Sequence, residues 1–195
     1  EGTHSIGEIL DTNGYHNFLL LGSDAVFGGR KNLFEQHGNY EIWDVESAMA
    51  EKRISEKVWW GYSDDMLFEF AKEKILKLSQ EDKPFNFTML TVDTHFPDGY
   101  VCEECPNKWD EQYKNVISCS SAMVGEFVEW IQAQDFYEDT TIVIAGDHLT
   151  MQKNFFELED EQEYDKKVVN VIINSAVEPT KTNRKYSTFD LYPTT

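Results

Sequence analysis

Short apolar runs alternate along the chain with longer stretches of helical periodicity. Four runs of aliphatic, aromatic and β-branched residues are bounded by glycine, proline or polar residues, which predicts buried strands. They are HNFLLLG (16–22), PFNFTMLTV (84–92), TTIVIAG (140–146) and KVVNVIIN (167–174). The segment YEIWD (40–44) predicts a further, shorter strand.

Apolar residues at helical spacing predict helices between these runs. The helices cover residues 5–13, part of 27–38, a segment that begins at Ser63 or Asp64, and a long segment through 116–131. This alternation favours an α/β fold class with a mostly parallel sheet and helices on both faces. We expect residues 1–195 to form a single domain, and the character of both chain ends predicts that this domain is partial.

Three groups of chemically active residues directly follow predicted strands. Arg30 comes shortly after the first run, His95 follows the second, and Asp147-His148 follows TTIVIAG. In open α/β sheets, ligands bind outside the carboxyl ends of the strands. We therefore expect these residues to converge on one site.

Each of these groups has a chemical and a purely structural interpretation. Asp147 and His148 offer a carboxylate oxygen and an imidazole nitrogen, which suit Mn²⁺, Mg²⁺ or Zn²⁺; the alternative is a capping aspartate beside a surface histidine. His95 precedes Pro97, which stiffens the loop, and either contacts a phosphoryl oxygen or only a backbone carbonyl. Arg30 follows two glycines and offers a planar fork to phosphate or sulfate, or is simply exposed in a first helical turn.

The charge balance limits the classes of partner. The chain has 17 Lys and Arg against 36 Asp and Glu, a formal net charge of −19. Such a surface repels nucleic acid and anionic membranes, so neither is expected as a direct partner. An anionic substrate would need a local cation, either a metal ion or a placed arginine.

Other conspicuous residues are assigned no chemistry. His4, His16 and His37 have no suggestive setting, and Trp59 and Trp60 are interpreted as packing residues. The chain contains neither a phosphate-binding GxGxxG or P-loop motif nor a GxSxG serine motif, so nucleotide binding and serine-nucleophile chemistry have no support.

The chain contains three cysteines, Cys102, Cys105 and Cys119. The CEEC segment is half of a zinc motif, but no second CxxC completes it. The alternative is one disulfide with one remaining thiol, which requires an extracellular location.

Five segments carry a resemblance to known proteins: DTNGYHNFLLLG, FGGR, VDTHFPDGY, EFVEWIQAQDFYEDTTIVIAGDH and YSTFDLYPTT. Together they resemble the alkaline phosphatase and sulfatase superfamily, and most closely its phosphoglycerol transferase branch. That branch includes lipoteichoic acid synthases and streptococcal enzymes that put glycerol phosphate on cell-wall polysaccharide, and the sequence is most similar to the streptococcal enzymes.

The resemblance implies a role for each matched residue. Asp147 and His148 match two metal ligands, usually of Mn²⁺, with Mg²⁺ and Zn²⁺ as alternatives. His95 and Arg30 match residues that contact the transferred group and its phosphate, and Phe27 lies beside Arg30. The family's threonine nucleophile and a glutamate ligand have no counterpart in this chain, which implies a C-terminal portion of a catalytic domain that would be inactive alone.

The implied reaction is metal-dependent transfer of phosphoglycerol from an anionic lipid such as phosphatidylglycerol to a cell-surface glycan, through a covalent threonine intermediate. It implies an extracellular location, with membrane anchoring only through segments outside this chain. That location favours a disulfide from Cys119 to Cys102 or Cys105, with Cys102–Cys105 as the competitor. One alternative is a sulfatase or phosphodiesterase of the same superfamily, which the upstream nucleophile would distinguish from the transferase. The second alternative is a non-catalytic anion- or glycan-binding fragment.

Overall fold

The computed structural model of the protein describes residues 4–152, 155, 166–178 and 185–195. The chain divides into two compact units. The first comprises residues up to His95 together with Gly99–Met123, and the second comprises Phe96–Asp98 with the residues from Val124 onward. The interpretation of the chain as one partial catalytic domain stays a prediction.

The first unit contains a three-stranded parallel sheet with strand order β2-β1-β3. In the register of the central strand, Phe18 pairs with Glu41 on one side and with Phe87 on the other. The elements in chain order are α1 (Ile6–Thr12), β1 (His16–Leu21), α2 (Arg30–Gln36), β2 (Glu41–Trp43), α3 (Val45–Ala50), α4 (Asp64–Leu78), β3 (Phe85–Leu90) and α5 (Gln112–Gln132), which crosses into the second unit.

Successive residues of β1 point to opposite faces of the sheet, and both faces are covered by other side chains. Leu19 and Leu21 pack with Tyr40 and Phe34, which belongs to α2. On the other side Phe18 stacks on Phe87 with ring centroids 5.5 Å apart, beneath Lys74 of α4. The predicted α/β class, with a parallel sheet between helices, is confirmed.

Helix α4 buries the stripe that its sequence predicts, and α3 is a helix that periodicity does not reveal. The stripe residues of α4 are at most 5% exposed: Leu67, Ala71, Ile75 and Leu78. Helix α3 has only six residues and is capped by Asp44, whose side chain accepts a hydrogen bond from the Ser47 backbone N–H. A helix this short depends on its cap and its packing rather than on a long apolar repeat.

The second unit corrects one expectation about the sheet. KVVNVIIN forms a strand, β5 (Asn170–Ile173), but it pairs antiparallel with β4 (Ile142–Ala145) instead of joining a parallel sheet. Residues in β4 alternate between half-buried and exposed, which suits an antiparallel pair with one solvated face. The last described helix is α6 (Leu191–Thr194). Among the described helices, none combines the length and the apolar character that crossing a membrane requires.

Candidate functional site

The loops after β1, β2 and β3 emerge at the same edge of the parallel sheet, because parallel strands align their carboxyl ends. The loop after β2 is tied to the loop after β1 by Asp44, which is 7% exposed. Its Oδ2 accepts a hydrogen bond from the Ala25 backbone N–H at 2.9 Å. Its Oδ1 accepts bonds from the backbone and the hydroxyl of Ser47. This buried carboxylate therefore fixes the start of the segment that leads to Arg30.

Arg30 is held by the loop that presents it. Its Nε donates to the Phe27 carbonyl at 3.1 Å, and its Nη2 donates to the Ser23 hydroxyl at 3.0 Å and the Asp24 carbonyl at 2.7 Å. Partial burial lowers the pKa of the guanidinium, against the opposing charges of Asp24 and Asp44. Within the described residues these bonds occupy Nε and Nη2, so the Nη1 donors remain for an anion.

Two glycines in this tight loop leave open space beside its backbone, which a ligand could approach closely. Gly28 and Gly29 have φ values of 65° and 76°, in the left-handed region that side chains disfavour. A Cβ built on either residue would meet no atom within 4 Å. Open space therefore lies directly beside the loop that positions Arg30.

His95 lies in the loop after β3 and contacts an aromatic side chain from a third segment. Its backbone N–H donates to the Val92 carbonyl at 2.9 Å. Its ring centroid lies 4.6 Å from that of Trp60, which in turn lies 5.6 Å from Phe27. These three rings, the aromatic row, connect the loop of Arg30 with the loop of His95.

Two buried aspartates at this edge hold the start of α4 against the end of β3. Asp64 accepts hydrogen bonds from the backbone N–H groups of Val92 and Asp93, at 2.7 and 3.1 Å, and Asp93 accepts one from the Asp64 N–H at 3.0 Å. Burial is the largest cause that raises the pKa of both carboxyls, and their mutual repulsion raises that of Asp93 further. The sequence places Asp93 in the same strand-end group as His95, but its pairing with Asp64 was not predicted.

Asp147 and His148 lie in the second unit, immediately after β4. Their side chains are 65% and 56% exposed. His148 Nδ1 is 2.8 Å from the Leu149 carbonyl, so the neutral ring carries its proton on Nδ1 and leaves Nε2 as a lone-pair donor. Nε2 and Asp147 Oδ2 are 3.4 Å apart, close enough for both to bind one ion at about 2.0–2.2 Å. The donor set therefore fits a divalent cation.

The cysteines form a compact group in the first unit. Cys105 and Cys119 form a disulfide that joins the loop before α5 to α5 itself. Cys102 is a buried thiol whose Sγ lies 2.8 Å from that of Cys105. Burial raises the pKa of the Cys102 thiol, and the charge of Asp65 adds to this.

The predicted residues therefore fall into two sets. Arg30, Phe27 and His95 lie in loops at the carboxyl edge of the parallel sheet, whereas Asp147 and His148 belong to the second unit. The expectation that all of them converge on one site stays a prediction. Trp60, which the sequence predicts to be a packing residue, contacts both other rings of the aromatic row and is 41% exposed.

The parallel sheet and its loop edge agree with the α/β fold that the resemblance to the alkaline phosphatase superfamily implies. A family model described as Sulfatase matches residues 1–195, so the chain belongs to the sulfatase family. It is also similar to curated phosphoglycerol transferases, as its motifs predict. Phosphoglycerol transferase I of Escherichia coli (strain 55989 / EAEC) is 30% identical over 167 residues, 81% of this chain. The chain spans only 22% of the length of that relative.

Two solved structures share the fold. A protein in the alkaline phosphatase superfamily from Vibrio parahaemolyticus has a TM-score of 0.71 at 24% identity, covering 97% of this chain and 45% of its own. The lipoteichoic acid synthase LtaP from Listeria monocytogenes has a TM-score of 0.62 at 19% identity, covering 77% of this chain and 38% of its own. At these identities the likeness shows the fold alone, and it agrees with the predicted α/β fold class.

Proposed function

We propose that this chain is the C-terminal portion of a catalytic domain that transfers phosphoglycerol from a lipid donor to a glycan acceptor. The observation that carries the proposal is that the loops of Arg30 and His95 lie at one sheet edge and are joined by the aromatic row. A rigid guanidinium and an imidazole beside open space suit a phosphoryl group. The curated relatives, which are named phosphoglycerol transferases, support this choice of substrate.

In this proposal each residue has a defined task. The Nη1 donors of Arg30 bind a non-bridging phosphoryl oxygen, while its other donors keep the guanidinium in place. His95 donates a ring N–H to a second phosphoryl oxygen. Both interactions strengthen as negative charge develops on these oxygens, which is how fixed donors lower a transfer barrier.

Asp147 Oδ2 and His148 Nε2 would hold a divalent cation, with Mn²⁺ first and Mg²⁺ or Zn²⁺ as alternatives. When bound, such an ion neutralises phosphate oxygens and lowers the pKa of a coordinated hydroxyl. The hydrogen bond between His148 Nδ1 and the Leu149 carbonyl presents Nε2 as the free lone pair. A threonine before Glu1 would be the nucleophile and would carry the phosphoglycerol group covalently.

In this function the reaction would take place at the extracellular face of the cell membrane. The Cys105–Cys119 disulfide supports this location, because disulfides persist in oxidising compartments. The donor would be an anionic glycerophospholipid such as phosphatidylglycerol. The net charge of −19 opposes long-range attraction of such a donor, so the local cations would have to capture it at short range.

The test is headgroup transfer by the full-length protein from fluorescent phosphatidylglycerol in detergent micelles. We expect diacylglycerol release that depends on Mn²⁺ and stops with a chelator. The sulfatase match favours sulfate ester hydrolysis as the second candidate. Turnover of an aryl sulfate, without diacylglycerol release, would replace the proposed function with that one. Anion binding without turnover of either ester would instead support a non-catalytic binding protein.

A further inference from the structure

Trp60 is an exposed ring on a turn that the structure holds against the end of β1. Val58 and Gly61 exchange backbone hydrogen bonds at 2.7 and 2.8 Å, and the Tyr62 N–H donates to the Gly22 carbonyl at 3.0 Å. A Cβ on Gly61 would lie 1.8 Å from the Gly22 oxygen, so only glycine permits this approach. The backbone of Trp60 is therefore fixed by its neighbours, although its side chain is 41% exposed.

Trp60 is the central member of the aromatic row. It contacts His95 at 4.6 Å and Phe27 at 5.6 Å between ring centroids, and the Arg30 guanidinium carbon lies 5.6 Å from the Phe27 ring centroid. Phe27 is itself 58% exposed. Exposed aromatic rings that converge with a few charged or polar groups are typical of ligand sites.

The chemistry of the row specifies a class of ligand. A cation stands at one end, an imidazole at the other, and apolar ring surface lies between them. A bare phosphate would use only the two ends. A phosphate ester with a short carbon chain would use the ring surface as well, because aromatic faces bury hydrocarbon favourably.

We propose that Trp60 is a specificity-determining residue whose ring packs against the glycerol carbons of the phosphoglycerol group. Arg30 and His95 hold the phosphate, and Trp60 distinguishes a glycerol ester from inorganic phosphate. This inference rests on the proposed function. It assigns a binding role to a residue whose sequence context predicts only packing.

Trp59 provides a matched control on the same turn. It is 42% exposed, nearly the same as Trp60. Among the described residues, the ring contacts of this turn with Phe27 and His95 are made by Trp60, and Trp59 takes part in neither. Replacing Trp59 removes a similar exposed indole without touching the row.

The experiment is calorimetric titration of the full-length protein with glycerol 1-phosphate and, separately, with inorganic phosphate. We expect Trp60→Ala to weaken glycerol phosphate binding about 5- to 10-fold, the scale of one aromatic packing contact. Phosphate binding should change less than about 2-fold, since Arg30 and His95 remain. Trp60→Phe should recover most of the loss, and Trp59→Ala should match the wild type.

Two results would overturn the inference alone. An equal loss for both ligands in Trp60→Ala would mean that Trp60 only positions His95. Unchanged glycerol phosphate binding in Trp60→Ala would mean that the ring makes no contact with the ligand. If the wild type binds neither ligand, the proposed function itself is wrong, and the inference falls with it.

Discussion

The loop of Arg30 and the segment of Asp147-His148 present charged groups in opposite ways. Arg30 is fixed by two backbone carbonyls and one hydroxyl, in a loop that the buried Asp44 ties to the neighbouring strand. Asp147 and His148 are mostly exposed, and their described contacts are with each other and with Leu149. One group is organised before any ligand arrives, whereas the other has only local support.

Because of this difference, substitutions in the two regions should affect stability and function to different extents. Changes in the first unit that disturb buried polar groups should affect folding as well as binding. Changes at Asp147 or His148 should leave folding nearly intact, because exposed side chains contribute little to it. Activity or ligand binding and stability against unfolding can therefore be measured separately for each variant below.

The largest effect is expected from Asp147→Asn and His148→Ala in the full-length protein. Each should lower phosphoglycerol transfer more than about 100-fold, because losing even an outer partner of a metal ligand costs 10- to 100-fold. Mn²⁺ affinity, measured by titration with electron paramagnetic resonance, should fall in parallel. The melting temperature without metal should stay within error, as it should for Asp135→Asn, an exposed control in the same unit. Full activity in either variant would refute the metal assignment.

The disulfide should dominate stability in the first unit. Cys119→Ser should lower the free energy of unfolding by about 3 kcal/mol, because the Cys105–Cys119 bond closes a loop with a sequence separation of 14. Cys102→Ser is the control and should cost only about 1 kcal/mol, since it removes no covalent link. Urea unfolding measures both variants. Peptide mapping without reduction should recover the Cys105–Cys119 pair from the wild type, and a Cys102–Cys105 peptide would contradict this account.

Arg30→Ala tests whether the guanidinium that its own loop holds in place binds phosphate. It should weaken glycerol phosphate binding by about 1.5–3 kcal/mol, the scale of a hydrogen bond to a charged group. Arg30→Lys should recover little, because a single ammonium cannot bond the loop carbonyls and the ligand together. Calorimetry provides the measurement, and the neighbouring exposed Lys31→Ala is the control. Unchanged glycerol phosphate binding in Arg30→Ala would refute the proposal that Arg30 binds the phosphate.

Local patterns in the sequence were enough to predict the parallel sheet and the loop edge. The apolar run of β1 and the stripe of α4 are buried as their periodicity indicates. Arg30 and His95 could be placed because parallel strands bring the loops at their carboxyl ends together. These predictions depend only on the short-range spacing of residues and on a general rule of sheet topology.

Long-range pairing was not predictable from those patterns. The antiparallel partner of β4 is set by contacts between strands, which an apolar run does not encode. The hydrogen bond from the Asp64 N–H to Asp93 spans 29 residues of sequence. The contact of Trp60 with His95 likewise depends on a turn that docks through Gly61, whose role emerges only from the packed backbone.

The smallest predicted effect concerns pH and the Asp64–Asp93 pair. Burial raises their pKa values from 3.8 to about 6 for Asp64 and about 7 for Asp93. No described donor reaches the buried Asp93 Oδ1, so the ionised carboxylate is poorly solvated in the folded state. The folded pKa of each carboxyl lies above its unfolded pKa, so protonation of the pair stabilises the folded state. This stabilisation is fully present below about pH 4 and is lost as the pH rises through 6–7.

The free energy of unfolding should therefore rise as the pH falls from about 8 to 5, because the buried pair takes up protons more readily in the folded state. Carboxyls with lowered pKa values, such as those of Glu73 and Glu81, stabilise the fold above their ordinary pKa of 4.5 and lose this contribution only at lower pH, so they do not mask the trend. Asp93→Asn should flatten the profile, whereas Asp82→Asn, an exposed control, should keep it. Urea unfolding across this range provides the measurement. An equal slope in Asp93→Asn would show that the buried pair does not govern the pH response of the first unit.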